Sequence, residues 1–240
     1  MPIDLDELAR SIGRLGGVEP EAGGLEAALQ LVVDETTRLF AVDGAGMLLL
    51  AEDGVLRYVA ASDEPGRMLE ALQEQTGEGP CVDAFLDDQP VSTPDMAAAP
   101  QWLTVGRLAV MHGIHAVLGV PVDLRGGPVG TLNVYASQPH PWDEVETAAI
   151  GAYARVAASL LRAAADAHLQ GQAAARLRHA LDHRAAIEQA KGILMERRRV
   201  GERAAYDLLR GHARSTRRPL VEVARQVIAG QRLPGLTTLR

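Results

Sequence analysis

The feature that most constrains this chain lies near its C-terminal end, where three helical segments follow one another over residues 184–228. Each segment places its apolar residues three or four positions apart, the spacing of an amphipathic helix. Gly201 follows the first segment as a normal stop signal, and Pro219 opens the third, where its missing N–H would be unpaired anyway. Three helices of this size bury one small core and leave their opposite faces to solvent or to a partner.

Charge is distributed very unevenly along the chain. From Gly171 to the end there are 15 Lys and Arg residues against 6 Asp and Glu, whereas the whole chain has 24 and 31. Residues 1–170 therefore carry a net charge of −16, and the C-terminal segment one of +9. This asymmetry is typical of a polyanion-binding tail on an acidic body, and arginine suits phosphates and bases. A merely solvated charged surface is the alternative that charge alone leaves open.

Composition restricts the class of protein further. The length of 240 residues suits one medium and one small domain, and 47% apolar residues are enough for a real core, which argues against global disorder. Cys81 is the only cysteine, so no internal disulfide forms and a reducing cytosol is the natural setting. No apolar run approaches the ~20 residues that span a bilayer, and the acidic N-terminus lacks a signal-peptide core. We therefore predict a cytoplasmic protein without membrane contact.

The region up to residue 136 alternates helical and strand patterns. Residues 1–24 are rich in glycine at their end and are expected to form a loose arm. Asp53-Gly54 and the Arg125–Pro128 turn are hairpin signals between apolar runs. Helices that flank hairpins indicate an antiparallel sheet with helices packed on it, an α+β fold. Helices are predicted over 25–41, 65–75 and 102–111, with a short one after Gly79-Pro80, and strands over 46–51, 55–61, 90–93, 116–122 and 129–136.

A long helix is predicted to connect the two regions. Residues 143–196 are rich in alanine, and no proline occurs between Asp143 and Pro219. A narrow stripe of small and aliphatic residues suits a helix that pairs with a copy of itself as a parallel coiled coil, so we expect a homodimer. Gly171 marks a bend or a domain joint, and a helix folded back on the chain's own sheet is the alternative. The stripe comprises Ile150, Ala154, Ala157, Leu160 or Leu161, Ala164, Ala167 and Ala174, followed by Leu177 and Leu181.

The C-terminal segment resembles an ANTAR domain, the three-helix RNA-binding output module of the AmiR and NasR antitermination regulators. The most specific match is Ala190-Lys191-Gly192-Ile193-Leu194-Met195, preceded by Ile187-Glu188-Gln189. Further along, Tyr206, Leu209, Ala213, Ser215, Leu220 and Val223-Ala224 follow in the family's order. The resemblance implies binding to small RNA hairpin loops in nascent mRNA, which stops a terminator from forming.

Residues 25–165 resemble a GAF domain, a small-molecule sensor module. The motifs that carry this resemblance are Gly79-Pro80-Cys81 with Ala84-Phe85, Pro94-Asp95-Met96, Trp102, Gly113-Ile114, Val120-Pro121 and Gly130–Tyr135. Together with the C-terminal segment they imply the bacterial GAF–ANTAR arrangement. The family binds ligands between the sheet and its covering loops, which here implies an unidentified small molecule. The implied pocket residues are Met47, Cys81, Phe85, Trp102, Val117, Asn133 and Tyr135.

Each of these assignments has a structural alternative. The pocket residues are core and the cavity is filled if no ligand binds. Cys81 lies between Glu78 and Asp83 without a basic neighbour in sequence, which favours a buried thiol over a reactive one. Tyr206 either stacks on a base or, as we favour, packs in the core.

An RNA-binding surface needs cations that reach phosphates and flat donors that reach splayed bases. Ser215 and Thr216 are expected to cap the third helix with at least one of their hydroxyls. The resemblance points to Lys191 as the family's motif lysine. The candidate RNA-binding residues are Lys191, Arg197, Arg198, Arg214, Ser215, Thr216, Arg217 and Arg218.

The sequence contains no supported catalytic motif and no third ligand for a metal site, so we expect neither an enzyme nor a metalloprotein. We expect a signal-responsive RNA-binding antitermination regulator, with an upstream signalling protein as a further candidate partner. A DNA-binding helix-turn-helix regulator and a protein–protein signalling module are the alternatives. The predicted division is an N-terminal arm (1–24), a GAF-like domain (25–165), a helical connector (166–183), an ANTAR-like domain (184–232) and a tail (233–240).

Overall fold

The structure is a computed structural model that describes residues 5–16, 24–51, 53–124, 127–167, 172–216, 218–231, 233 and 235–236, without the side chains of residues 165–182. The chain divides into two compact units, Met1–Leu49 with Leu56–Ala174, and Leu50–Val55 with Ala175–Arg240. None of the helices within the described ranges is both long and apolar enough to cross a membrane.

The first unit is built on a five-stranded antiparallel sheet with the strand order β2-β1-β5-β4-β3. The long central strands β4 and β5 pair from Ala116↔Ala136 to Leu124↔Gly127, with a register shift between Val122 and Asp123. The sheet confirms the predicted α+β class and each predicted strand to within a few residues. The strands are β1 (Gly44–Leu50), β2 (Leu56–Ala61), β3 (Val91–Thr93), β4 (Ala116–Leu124) and β5 (Gly127–Ala136).

The hairpin between β1 and β2 forms where Asp53-Gly54 predicts it. Gly54 adopts a φ of +79°, which a residue with a side chain rarely adopts, and Val55 N–H donates to the Asp53 carboxylate at 3.2 Å. Ala51 N–H closes the turn on the Val55 carbonyl at 2.9 Å. Of the second predicted turn, residues 125 and 126 lie outside the described residues.

Helices cover both faces of the sheet. Helices α2 (Gly24–Phe40) and α6 (Glu144–Ala167) pack on one face, and α3 (Glu64–Thr76) and α4 (Pro80–Asp87) pack on the other. Helix α5 (Leu103–Met111) packs beside α3, and α1 (Leu5–Gly16) packs on α2 and α6. Alternation along β4 explains the two faces, because Gly119 lies against Cys81 of α4 while Val120 lies near Gly151 of α6.

Helix α1 corrects the expectation of a loose arm over residues 1–24, at least for residues 5–16. Leu15 and Ser11 are buried, and the Ser11 hydroxyl donates to Glu35 at 2.6 Å while it accepts from Tyr153 at 2.6 Å. Hydrogen bonds from Arg38 and then from Ser11 lower the pKa of Glu35 to about 2. The contacts that hold α1 against the rest of the unit join residues far apart in the sequence, so no local pattern indicates them.

Helix α6 carries the first part of the stripe of small and aliphatic residues that was predicted to form a coiled coil. Its stripe is buried within the first unit, against β4 and α2. For α6 the alternative therefore holds, and the helix is folded back on the chain's own sheet. Gly171 and the side chains of Ala167, Ala174, Leu177 and Leu181 lie outside the described residues, so pairing of that part with a second copy stays a prediction. The buried stripe residues are Ile150, Ala154, Ala157, Leu160, Leu161 and Ala164.

The second unit contains the three predicted helices, α7 (Gln172–Arg198), α8 (Glu202–Thr216) and α9 (Leu220–Ile228). Helix α7 runs from the predicted connector into the first of them. Helix α7 ends at Arg198, shortly before the stop signal Gly201. Arg199 takes the left-handed conformation (φ +53°), and the Gly201 carbonyl accepts from Ala205 N–H of α8. The expected tail contributes to this core through Leu233 and Leu236, which are both buried.

Candidate nucleic-acid interface and ligand pocket

Lys191 is buried inside the second unit, although the sequence analysis names it first among the candidate RNA-binding residues. Its side chain is 1% exposed, and its ammonium group donates to Glu188 at 2.9 Å and to Glu202 at 2.6 Å. Glu188 is one turn earlier on α7, and Glu202 opens α8. In this geometry Lys191 joins two helices, which does not favour the predicted direct contact with a phosphate.

The described candidate arginines lie in two groups at opposite ends of α8, and all of them except the half-buried Arg198 are exposed. Arg197 and Arg198 are in the last turn of α7, next to the start of α8, whereas Arg214 is in the last turn of α8. Arg218 follows α8 and is ion-paired with Glu222 at 3.5 Å. An α-helix rises 1.5 Å per residue, so the 15 residues of α8 separate the groups by about 20 Å. Arg217, predicted to belong to the second group, lies outside the described residues.

A structural explanation for these arginines also exists. The carbonyl groups at the end of a helix carry a partial negative charge, so cations in the last turn stabilise the helix by about 0.3–1 kcal/mol. Both groups occupy such positions, at the ends of α7 and α8. Arg197 and Arg214 are nevertheless exposed at their tips, where they can also reach an anion from solution.

Ser215 and Thr216 do not cap the third helix as expected. Both hydroxyls donate backwards to the His212 carbonyl, at 3.0 and 2.7 Å. They thereby satisfy the end of α8, and Pro219 precedes α9 without any side-chain cap. Both residues remain exposed, so their predicted contact with RNA stays a prediction.

Tyr206 is buried in the core of the second unit, and burial raises the pKa of its phenol. The interpretation of Tyr206 as a core residue is therefore confirmed. In this conformation its ring does not face solvent, where an RNA base could stack on it.

All seven predicted pocket residues are buried, but they do not share one face of the sheet. Met47 alternates with Gly46 and pairs with Leu132, so it lies on the α2–α6 face, whereas the other six lie on the α3–α4 side. Most polar groups on that side are engaged within the protein, although the Asn133 Oδ1 atom has no hydrogen-bond partner among the described residues. The Trp102 indole donates to Asp83 at 2.8 Å, and the Tyr135 hydroxyl donates to Asp63. Burial and the neighbouring Asp63 raise the pKa of Tyr135. The arrangement is a buried polar core, and ligand binding there stays a prediction.

The centre of this region contains Glu70 and Gln73 of α3, which sequence reasoning missed. Asn133 donates to Glu70 at 2.7 Å, and the Gln73 amide donates to the Cys81 thiol at 2.9 Å and accepts from Cys81 N–H at 3.0 Å. Burial raises the pKa of Glu70 to about 8, which the hydrogen bond from Asn133 only partly offsets. Glu70 is therefore mostly a neutral acid at neutral pH. A Cβ at Gly46 would lie 2.4 Å from the Glu70 carboxyl, so the close approach of β1 requires glycine there.

Cys81 is a buried thiol in this cluster, as predicted. Burial, with the nearby Glu70, raises its pKa well above the usual value, which suppresses the reactive thiolate. Within the described residues, no group of three His, Cys, Asp or Glu side chains is placed to hold a metal ion.

An open groove of about 630 Å³ lies elsewhere in the first unit and involves none of the predicted pocket residues. Residues 88–90, strand β4 and the start of α6 line it, with Trp142 and Arg155 on its wall.

Two protein families match this chain, one in each part of the sequence. A sequence model of the GAF domain family matches residues 22–162, and one of the ANTAR domain family matches residues 175–228. A search of curated proteins found no match.

Solved structures similar to this chain cover the first unit. The GAF domain of a phosphoenolpyruvate-protein phosphotransferase from Acinetobacter is 20% identical, with a TM-score of 0.56, over 70% of this chain and 96% of that one. The corresponding domain from Coxiella burnetii is 22% identical, with a TM-score of 0.53, over 69% and 96%. A free methionine-R-sulfoxide reductase from Neisseria meningitidis, solved with its substrate, is 17% identical, with a TM-score of 0.53, over 67% and 89%. At these identities the likeness shows the fold alone.

Proposed function

This chain belongs to the GAF family and carries an ANTAR domain at residues 175–228, and on that premise we propose that it is a signal-responsive RNA-binding transcription antitermination regulator. Its ANTAR domain binds hairpin loops in nascent mRNA, and its GAF domain controls that binding. The single observation that carries the proposal is the ANTAR match, which lies within the C-terminal segment of residues 171–240 whose net charge is +9.

The arrangement of the arginines supports contact with a polyanion. Arg197, Arg214 and Arg218 are exposed at the two ends of α8, about 20 Å apart by helix rise. Two separate groups of cations suit a folded RNA that presents phosphates on both sides of a loop better than they suit one small anion. The sites we assign to RNA are therefore these three arginines with Arg198, and with Ser215 and Thr216 at the second group.

Control by the GAF domain requires a change in a core whose polar groups are hydrogen-bonded to one another. A ligand entering beside Trp102 or Asn133 has to break their hydrogen bonds to Asp83 and Glu70. A ligand that replaces those bonds therefore repacks α3 or α4, and this gives the domain two distinct states. We infer that the chain acts as a homodimer, since two ANTAR domains bind two loops with avidity when the spacing fits.

A DNA-binding helix-turn-helix is the second candidate, with α9 as the recognition helix. Glu222 and Arg225 are exposed on α9, but the Oε1 atom of Gln226 is buried, with no hydrogen-bond partner in the part of the chain that the structure describes. A helix with so few outward base-reading groups is a weak reader of the major groove. The exposed arginines lie at helix ends instead, which favours RNA loops.

The test measures how tightly the full-length protein binds three nucleic acids: an RNA with two short hairpins, the same RNA with one hairpin removed, and a DNA duplex of equal length. We expect the two-hairpin RNA to bind at least tenfold more tightly than either of the others. Equal binding to one and two hairpins contradicts dimeric recognition, and preference for the duplex favours the helix-turn-helix.

A matched pair of variants locates the site. The double variant R197A/R198A removes two arginines from the ANTAR domain, and R57A/R67A removes two half-exposed arginines from the GAF domain. Both lower the net charge equally, so only a specific contact separates them. We expect the first to weaken RNA binding by tenfold or more and the second to leave it within about twofold.

A further inference from the structure

The most unusual charged group in the ANTAR domain is the one that does not face solvent. Lys191 is 1% exposed, while the two glutamates it joins, Glu188 and Glu202, are 41% and 48% exposed. Most lysines keep the ammonium group in water, because removing it costs several kcal/mol unless good partners replace the lost hydration. Two carboxylates at 2.9 and 2.6 Å supply that replacement.

This cluster lies next to the turn that displays the first group of arginines. Helix α7 ends at Arg198, Arg199 adopts a left-handed φ of +53°, and α8 begins at Glu202. A non-glycine residue in that conformation costs about 1 kcal/mol or more and persists where its surroundings fix it. The bond from Lys191 to Glu202 crosses from α7 to the first residue of α8 and so fixes both sides of the turn.

We propose that Lys191 is a positioning residue, which does not touch RNA and instead fixes the α7–α8 turn so that Arg197 and Arg198 face the RNA together. The inference rests on the proposed RNA-binding function for its consequence, and on the buried triad of Lys191, Glu188 and Glu202 for its geometry. It assigns the motif lysine of this domain to the inside of the protein.

The two roles of Lys191 predict opposite signs for one substitution. If Lys191 contacts a phosphate, then Glu202→Gln frees the ammonium group and removes a repulsive charge, so RNA binding tightens. If Lys191 positions the turn, Glu202→Gln loosens the turn and RNA binding weakens, although the protein has become more positive. A weakening therefore cannot come from overall charge.

The experiment measures binding of the two-hairpin RNA to full-length wild type, E202Q, K191M and E196Q over a range of salt concentrations. Glu196 is the matched control, because it is 75% exposed on the same helix and is paired with Arg199, not with Lys191. We expect E202Q and K191M to weaken binding about tenfold, the loss of roughly one charge-assisted contact, and E196Q to bind as tightly as wild type or more tightly.

The salt dependence separates positioning from contact. A lysine that neutralises a phosphate lowers the slope of log K against log salt by about one when it is removed. We expect K191M to retain the wild-type slope. Tighter binding by E202Q, or a slope reduced by one in K191M, overturns the proposal.

Hydrogen exchange gives a readout that does not depend on RNA. The amides of residues 199–205 are expected to exchange about tenfold faster in E202Q and in K191M than in wild type or E196Q, and the double variant K191M/E202Q is expected to be no faster than K191M alone. Unchanged exchange in E202Q contradicts the positioning role. If wild type binds no RNA while exchange behaves as expected, the proposed function fails and the structural part of the inference stands.

Discussion

Each half of this protein buries an ionisable side chain at 1% exposure, Glu70 in one and Lys191 in the other, and the two are stabilised in opposite ways. In the GAF domain Glu70 is buried among neutral partners, with Asn133 as its donor at 2.7 Å. In the ANTAR domain Lys191 is equally buried but bonded to two carboxylates. A carboxyl without a nearby cation stays neutral by a raised pKa, whereas an ammonium between two anions keeps its charge.

The difference explains why the two domains should respond to different conditions. The Glu70 carboxyl is mostly neutral at neutral pH and ionises only as the pH rises through about 8. We therefore expect the stability of the GAF domain to depend on pH through this group, and not on added salt. The Lys191 triad is ionic, and its half-exposed glutamates make it sensitive to the loss of a partner. An input domain with a neutral core can repack around a neutral ligand, while an output domain with an ionic link holds one geometry.

The largest expected effect is the dependence of stability on pH through Glu70. Its pKa of about 8 in the folded protein lies above the usual 4.5, so the folded state retains a proton that the unfolded state releases. This stability is fully present below pH 4.5 and is lost as pH rises through 8, by roughly 5 kcal/mol in total. Urea unfolding of the GAF transition in wild type and E70Q at pH 5 and pH 8.5 measures it.

In E70Q the amide keeps the size of the side chain but cannot ionise, so this loss between the two pH values should disappear. If wild type and E70Q lose the same free energy of unfolding between pH 5 and pH 8.5, Glu70 is already ionised in the folded state at pH 5. Glu70 would then not differ from Lys191 in the way described.

A second prediction sharpens the comparison within the GAF domain, where the chain's two tryptophans differ in one hydrogen bond. The Trp102 indole donates to the buried Asp83, while the Trp142 Nε1 atom is buried without a partner among the described residues. W102F takes this donor from Asp83 and should destabilise the domain by about 1–3 kcal/mol beyond the loss of ring area. W142F, which removes an unpaired N–H, should cost less than about 1 kcal/mol. Comparable losses in thermal unfolding would argue against the polar core.

A third prediction compares two glutamates of the ANTAR domain. E202Q leaves Lys191 with one carboxylate and should lower the stability of this domain by about 1–2 kcal/mol. E222Q breaks an exposed pair in which Arg218 and Glu222 are 48% and 50% exposed, and should change it by less than about 0.5 kcal/mol. Chemical unfolding of both variants decides whether burial of the cation matters, and similar values would show that it does not.

The fold followed from local signals in the sequence. Strands and hairpins were predictable because alternation, Asp53-Gly54 and prolines act over a few residues, and helices α2 to α5 follow apolar spacing in the same way. The packing of helix α1 was not predictable, because polar contacts among Ser11, Glu35 and Tyr153 hold it, and these join positions up to 142 residues apart. The left-handed conformation of Arg199 was not predictable either, since a left-handed arginine has no sequence signature.

The site was harder to predict because residue type does not reveal which way a side chain faces. A lysine in a basic segment was expected to face solvent, yet Glu188 and Glu202 at spacings of 3 and 11 residues bury it. Glu70 and Gln73 were not among the predicted site residues, because a polar residue in a helix gives no sign in the sequence that it is buried. Only the tertiary packing of a second element, β5 or α8, decides such cases.

We propose above all that arginines of the ANTAR domain bind the phosphates of RNA. The most direct measurement is the slope of log K against log salt for full-length wild type and R197A/R198A on the two-hairpin RNA. The account predicts a steep negative slope for wild type and one shallower by about two units for the variant, with R57A/R67A equal to wild type. A wild-type slope near zero, or one that the variant leaves unchanged, would contradict it.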